Sequence, residues 1–316
     1  MPDFTRVALI EVGSNNIRYM VADYSDALTF QTVASEARLH AMHPNAPTES
    51  SVGEVNLMVE KFIRDAESHD CMTIFVYGTA SCRAVSATFP GTLSPLIRIL
   101  TPKEEAVAAW VAGFACTDQS AGTVCTVIDE GSGSTEIVRA TWNGSEIENI
   151  SYFSVHLGSV SLLESYKENA KGHTLRVQHV IENMRPEIDA AGLTPSVTGK
   201  LFMIGGVATS VGWLATKGTG MQNYRPSEIN GSRLTMSMMD DLNGKLNRAW
   251  RTDPRSARQA VDTRRDSEDH ILKVLSSLPF LAMLAGYFDS GGTYFVSGMG
   301  VRHGIGFLIW SGFFDD

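Results

Sequence analysis

The sequence predicts an α/β protein of two halves on one plan, each a mixed sheet with flanking helices. Three observations predict it. Residues 9–21, LIEVGSNNIRYMV, and 127–138, VIDEGSGSTEIV, both run as a strand to Ile, a carboxylate (Glu11, Asp129), one further residue and Gly-Ser, then resume as a strand. Around each copy the patterns follow the same order: three β-rich runs, a helical run, a strand and a helix. The chain of 316 residues, 43% apolar and 19% charged, is long enough for two cores and too apolar for disorder.

In the first half, residues 6–12, 17–24 and 28–39 are strand-like between tight polar turns, which predicts a three-stranded meander. Residues 53–68 place Val55, Met58, Val59, Phe62 and Ile63 at helical spacing, and MTIFVYGT (72–79) is a buried strand. Thr101-Pro102-Lys103-Glu104 is a capping box with proline at the first helical position, so a helix starts there with Thr101 and Glu104 as its cap. Its apolar stripe is Val107, Trp110, Val111 and Phe114, which puts Glu105 on the opposite face and leaves it unneeded by the cap. ACTDQSAGT (115–123) lacks the composition of a flexible tether and reads as a hinge, dividing the chain into domains 1–117 and 118–316.

The second half restarts with strand patterns at 123–130, 134–142 and 146–156 and helical ones at 158–170 and 174–186. KLFMIGGVATSVGWLA (200–215) is a strand, a glycine turn and a helix. Extra helices fill 233–288, where Met236, Met238 and Met239 read as packing; TYFVSG (293–298) is the last strand, and a helix follows residue 302.

The net charge of −9 argues against a general nucleic-acid binder or an anionic-membrane binder, both of which need basic surface. The uncharged stretch 274–288 falls short of a membrane span and contains Pro279. Four cysteines without C-x-x-C spacing, and an N-terminus that enters a strand at once, point to a reducing, cytoplasmic setting.

A hairpin opening on Gly-Ser turns successive backbone N–H groups into a nest for an anionic oxygen. A carboxylate two residues earlier, Glu11 or Asp129, would point toward the same place and suits Mg²⁺, which takes a few carboxylates together with waters and phosphate oxygens. Two such hairpins facing each other across a hinge would clamp a phosphate chain and its metal. The eight histidines form no cluster.

VALIEVGSNNIRYMVADY and VCTVIDEGSGSTEIV resemble the two phosphate motifs of the exopolyphosphatase/guanosine pentaphosphate phosphatase (Ppx/GppA) family, within the actin/sugar-kinase/Hsp70 superfamily. Further landmarks follow in the family's order: YGTASCRAV, ILTPKEEAVAAWVAG, HLGSVSLLESY, LFMIGGVATSVGW and VSGMGVRHGI. The resemblance spans essentially the whole chain. It implies two actin-like (ribonuclease H-like) domains around an interdomain cleft. It further implies Glu105 as the base that activates water and Glu136 as an acidic residue organising metal and water. Glu11, Asp129 and Glu136 would hold Mg²⁺ (or Mn²⁺). Phosphate would meet Gly13, Ser14, Asn15 and Arg18, Arg83, the loop Gly131, Ser132, Gly133, Ser134 and Thr135, and the turn Gly205-Gly206.

The sequence departs from the family pattern at four places. Glu11 stands for the usual Asp, Ser132 interrupts a triple glycine, Glu130 replaces an aliphatic residue and adds negative charge beside the phosphate loop, and Val107 stands where an Arg is common. The expected activity is Mg²⁺-dependent hydrolysis of polyphosphate or guanosine pentaphosphate, with a polyanionic phosphate substrate as partner, no nucleic acid and no membrane. A homodimer stays open as the assembly. Two alternatives stay open as well: a phosphatase of a small metabolite or nucleotide, and a non-catalytic regulator binding guanosine polyphosphates. With 26 basic against 35 acidic residues, and without the extra C-terminal helical domain of longer family members, short substrates are expected to be favoured. The concentrated basic segment is 245–265.

Overall fold

The computed structural model describes residues 4–13, 16–26, 29–40, 42, 48–117, 120–195, 199–218, 221, 224–261, 267–288 and 292–311. The chain forms two compact units: Met1–Val111 with Val301–Asp316, and Ala112–Gly300. The division therefore differs from the one expected at 117/118. It falls inside a helix, and the C-terminal helix returns to the first unit.

The first unit carries β1 (Thr5–Val12), β2 (Asn16–Asp26), β3 (Thr29–Leu39), α1 (Glu49–Glu67), β4 (Thr73–Gly78), α2 (Ala80–Thr88), β5 (Arg98–Ile99), the start of α3 (Pro102–Phe114) and α10 (Val301–Trp310). Its sheet has the order β3-β2-β1-β4-β5, antiparallel across the meander and parallel from β1 onward. Alternate residues of β1 (Ala8, Ile10, Val12) bury one face against Val52, Val55, Val59 and Phe62 of α1. The other face receives α10. Its Gly304 and Gly306 have no room for a Cβ, because the Ala108 carbonyl and the Tyr24 hydroxyl already occupy that space. Those two glycines allow the helix to lie directly on β1 and β2, with Phe307 edge-on to Tyr24 at 5.2 Å. A sequence boundary drawn from loop composition could not see this return.

The second unit carries β6 (Thr123–Glu130), β7 (Thr135–Trp142), β8 (Ile147–Val155), α4 (Ser159–Glu168), α5 (His173–Ala190), β9 (Lys200–Ile204), α6 (Gly206–Lys217), β10 (Ser232–Thr235), α7 (Met236–Thr252), α8 (Pro254–Val261), α9 (Ser267–Phe288) and β11 (Thr293–Val296). Its sheet order is β10-β11-β9-β6-β7-β8. Here β6 takes the place of β1, with an antiparallel meander on one side and parallel β9 on the other. The repeat read from the sequence is thus a repeat of topology.

Helix α9 corrects one expectation. Residues 270–288 are long and apolar enough to cross a bilayer, with mean hydropathy 1.7, but 72% of that stretch is buried inside the fold. Ile271, Val274, Leu275, Leu278, Leu281 and Leu284 form the spine of the second core, so burial in protein accounts for their apolarity. Cys82 and Cys125 are buried and pack as small hydrophobes.

Candidate active site

In the first unit, the start of α3 separates two neighbouring glutamates. Glu104 closes the capping box: its Oε2 accepts from Thr101 N at 2.7 Å and from Thr101 Oγ1 at 2.9 Å, while Glu104 N donates to Thr101 Oγ1 at 3.2 Å. Burial pushes its carboxyl up, but these bonds, together with Arg98 Nη2 donating to Oε1 at 2.8 Å, outweigh it and hold the carboxyl below the usual range. Glu105 lies elsewhere, at 6% exposure, with its Oε2 2.9 Å from Arg83 Nη1. Glu105 is buried although it lies opposite the apolar stripe, because α3 is buried all round from Ala106 to Ala112. A buried carboxylate needs a charged partner, and Arg83, carried on α2, supplies it. The same Nη1 donates to Leu100 O at 2.8 Å, which fixes the guanidinium plane.

Glu11, next to last in β1, is 8% exposed. Arg18, its cross-strand neighbour on β2, stands 3.4 Å from Oε1, and Arg302 of α10 stands 3.4 Å from Oε2. A cation at Glu11 would therefore have to share its carboxylate with both arginines. The two guanidinium groups offset its charge, and it in turn holds them at the end of the first strand. Arg302 escaped the sequence reading of the site; its signal was the VSGMGVRHGI landmark. Tyr77, beside Glu11 on β4, also escaped it. Its hydroxyl is buried without a hydrogen bond, and burial together with the Glu11 charge pushes its pKa well up. At the first loop, Gly13 N donates to Asn16 O at 3.0 Å; Ser14 and Asn15 lie outside the described residues.

In the second unit, the loop Gly131–Ser134 is closed by Gly131 N donating to Ser134 O at 2.9 Å. The amides of Ser159 and Val160, at the start of α4, donate to the carbonyls of Gly131 and Ser132 at 3.0 Å each. In a trans peptide the N–H points opposite to the C=O. The amides of Ser132 and Gly133 are therefore turned away from α4 as a pair, which is the geometry of an anion nest. Thr135 is buried, and its hydroxyl donates to Leu157 O at 2.6 Å, so it anchors the loop to the chain entering α4.

Asp129 and Glu136 are cross-strand partners on β6 and β7, 7% and 1% exposed, and so lie on one face of the sheet. Ser154 Oγ donates to Glu136 Oε1 at 3.0 Å. Two buried carboxylates facing the same way repel one another unless a cation or proton lies near. As donors they fit Mg²⁺, which accepts one or two carboxylates and fills its remaining positions with water and phosphate oxygens. Among the described residues no group of three or more His, Cys, Asp or Glu side chains is gathered to hold a metal, so an all-protein site does not form.

Gly205 joins β9 to α6 at φ +99°, and a Cβ there would strike the Glu130 carbonyl and approach Asp129 Oδ1 to 3.0 Å. Only glycine fits both conditions. No side chain caps α6, and the space a Cβ of Gly206 would occupy is open, so the helix N-terminus can meet an anion.

Glu130 takes the opposite face of β6 from Asp129. Both its carboxyl oxygens are buried, and neither they nor the neighbouring Ser277 hydroxyl makes a hydrogen bond of normal geometry. Burial raises its pKa to about 8, with the Asp129 charge adding to the effect. The expected extra negative charge beside the phosphate loop is thus largely absent at neutral pH, because the side chain points into the core.

Residues 45–307 match the model of the Ppx/GppA phosphatase family. Among solved structures, the chain is similar to the Ppx/GppA family member of Aquifex aeolicus, with 18% identity, TM-score 0.72, and coverage of 97% of this chain and 98% of that one. It is also similar to an exopolyphosphatase from Cytophaga hutchinsonii, with 13% identity, TM-score 0.73 and 98% of each chain covered. No curated protein sequence matches at a significant level. The two repeated mixed sheets and these fold likenesses make the architecture the two-domain actin-like one, and the family match over most of the chain shows that this protein belongs to the Ppx/GppA phosphatase family.

Proposed function

We propose that the protein hydrolyses the terminal phosphoanhydride bond of short polyphosphates or of guanosine pentaphosphate. The observation that carries this reading is the pairing of buried Glu105 with half-buried Arg83 at 2.9 Å, set beside a neighbouring glutamate taken up by the helix cap and by Arg98. A buried carboxylate fixed by a guanidinium is oriented as a general base, a role that contributes roughly 10²–10⁴-fold. Glu105 would take a proton from the attacking water as its oxygen bonds to the terminal phosphorus. The bridging oxygen then leaves with the shortened phosphate chain. Among the described residues the side-chain bonds of Arg83 to Leu100 O and Glu105 use Nη1, so its Nη2 edge suits the equatorial phosphoryl oxygens, where charge spreads in the transition state.

The amides of Ser132 and Gly133, the Gly13 loop and the N-terminus of α6 would bind further phosphates. Asp129 and Glu136 would hold Mg²⁺, which when bound neutralises phosphate charge and polarises the bond that breaks. Arg18 and Arg302, both gathered on Glu11, would present positive charge to the substrate. A preference for short chains follows from the net charge of −9, since long polyanions are held by rows of cations.

The test is phosphate release with Mg²⁺ from polyphosphates of three and of several hundred units, guanosine penta- and tetraphosphate, and simple nucleotides. Higher kcat/KM on triphosphate or guanosine pentaphosphate than on the long polymer is the expected result. Turnover confined to simple nucleotides would move the substrate class, and a marked preference for long polymer would overturn the charge argument.

A further inference from the structure

His40 follows the end of β3, beside the Asn16–Leu39 pair that closes the sheet at the first glycine loop. Two contacts with the backbone place its ring nitrogens. Met42 N lies 3.1 Å from Nδ1, and Gly13 O lies 2.9 Å from Nε2. A backbone N–H can only donate, so Nδ1 is the acceptor and carries no proton. Nε2 then bears the proton and donates it to Gly13 O. The two contacts together fix one tautomer of the neutral ring.

We infer that neutral His40 is a positioning residue, a clasp that holds the Gly13 carbonyl where β1 enters the first phosphate loop and releases it when the ring takes a second proton. The inference rests on the reading of that loop as a phosphate site. A proton on Nδ1 would face the Met42 N–H, donor against donor, so the ring must turn and leave at least one bond. Burial acts against the charged ring, while the backbone carbonyls of Gly13 and Asn16 favour it. Of the charged residues beside it on β3, Arg38 is paired with Glu36. The neighbouring carboxylate, Glu11, is turned to Arg18 and Arg302. Nothing in the sequence pattern pointed to His40, because its two partners are 2 and 27 positions away and are backbone groups.

The experiment compares the full-length protein with His40→Gln and His40→Ala between pH 5 and pH 8. Gln keeps a donor for Gly13 O and cannot gain a proton; Ala keeps neither bond. Two readouts are taken: amide-exchange protection of the peptide spanning residues 13–16, and KM and kcat for tripolyphosphate with Mg²⁺. In the wild type, protection of that peptide falls as the pH drops to 5 and KM rises with little change in kcat. In His40→Ala protection is lost at every pH and KM is about five- to tenfold higher, the worth of one hydrogen bond. His40→Gln restores protection and most of KM at pH 8 and keeps both at pH 5. An acid loss of protection in His40→Gln equal to that of the wild type, or wild-type protection in His40→Ala, overturns the clasp. If the protection pattern holds while KM is unchanged in every variant, the clasp stands and the phosphate reading of the loop fails.

Discussion

Replacing Glu130 by Gln should stabilise the protein, and by an amount that depends on pH. The folded chain keeps this carboxyl protonated up to about pH 8, whereas the unfolded chain releases the proton at the ordinary value of 4.5. Between those values the folded state binds one proton more than the unfolded state, so stability falls as pH rises. The loss is about 1.4 kcal/mol per pH unit, about 3 kcal/mol by pH 7 and about 5 kcal/mol once pH 8 is passed. Below pH 4.5 both states are protonated and the effect vanishes. Gln has nearly the same shape and no titration, so the difference between the two proteins isolates this one group. Urea denaturation of both, in EDTA at unit steps from pH 5 to pH 9, measures it. The stability gap should widen in favour of Glu130→Gln up to pH 8 and then level off. A gap that stays flat from pH 5 to pH 8 would refute the claim that Glu130 is buried as a neutral acid.

Glu105→Gln should lower kcat by roughly 10²–10⁴-fold with ligand affinity little changed, whereas Glu104→Gln should cost about 1 kcal/mol of stability through the weakened cap and spare kcat; denaturation and initial rates on both variants separate the two roles. Gly205→Ala should destabilise by about 1–3 kcal/mol, because a non-glycine residue is strained at that φ and its Cβ meets the Glu130 carbonyl, and calorimetry reads the loss. Arg302→Ala leaves buried Glu11 with Arg18 as its remaining cationic partner; a stability loss of about 1–3 kcal/mol and a raised KM are expected, and a raised KM without any stability change would show that Arg302 meets substrate without supporting Glu11.

The sequence by itself determined the features whose information is local. A strand, a carboxylate and Gly-Ser, written twice, specify two hairpins of the same shape, because strand period and turn chemistry are set within a dozen residues. Thr101 and Glu104 specify their cap within four residues, and that is why Glu104 could be told from Glu105 before any contact was known. Tertiary structure alone decided which charges meet. Glu11 reaches Arg302 across nearly the whole chain, and only the close seating of α10 through Gly304 and Gly306 brings them to 3.4 Å. It also decided that Glu105 is buried on Arg83 and that Glu130 faces the core as a neutral acid. Charge state depends on solvent exposure and on partners within a few ångströms, and a sequence fixes neither until the chain has packed.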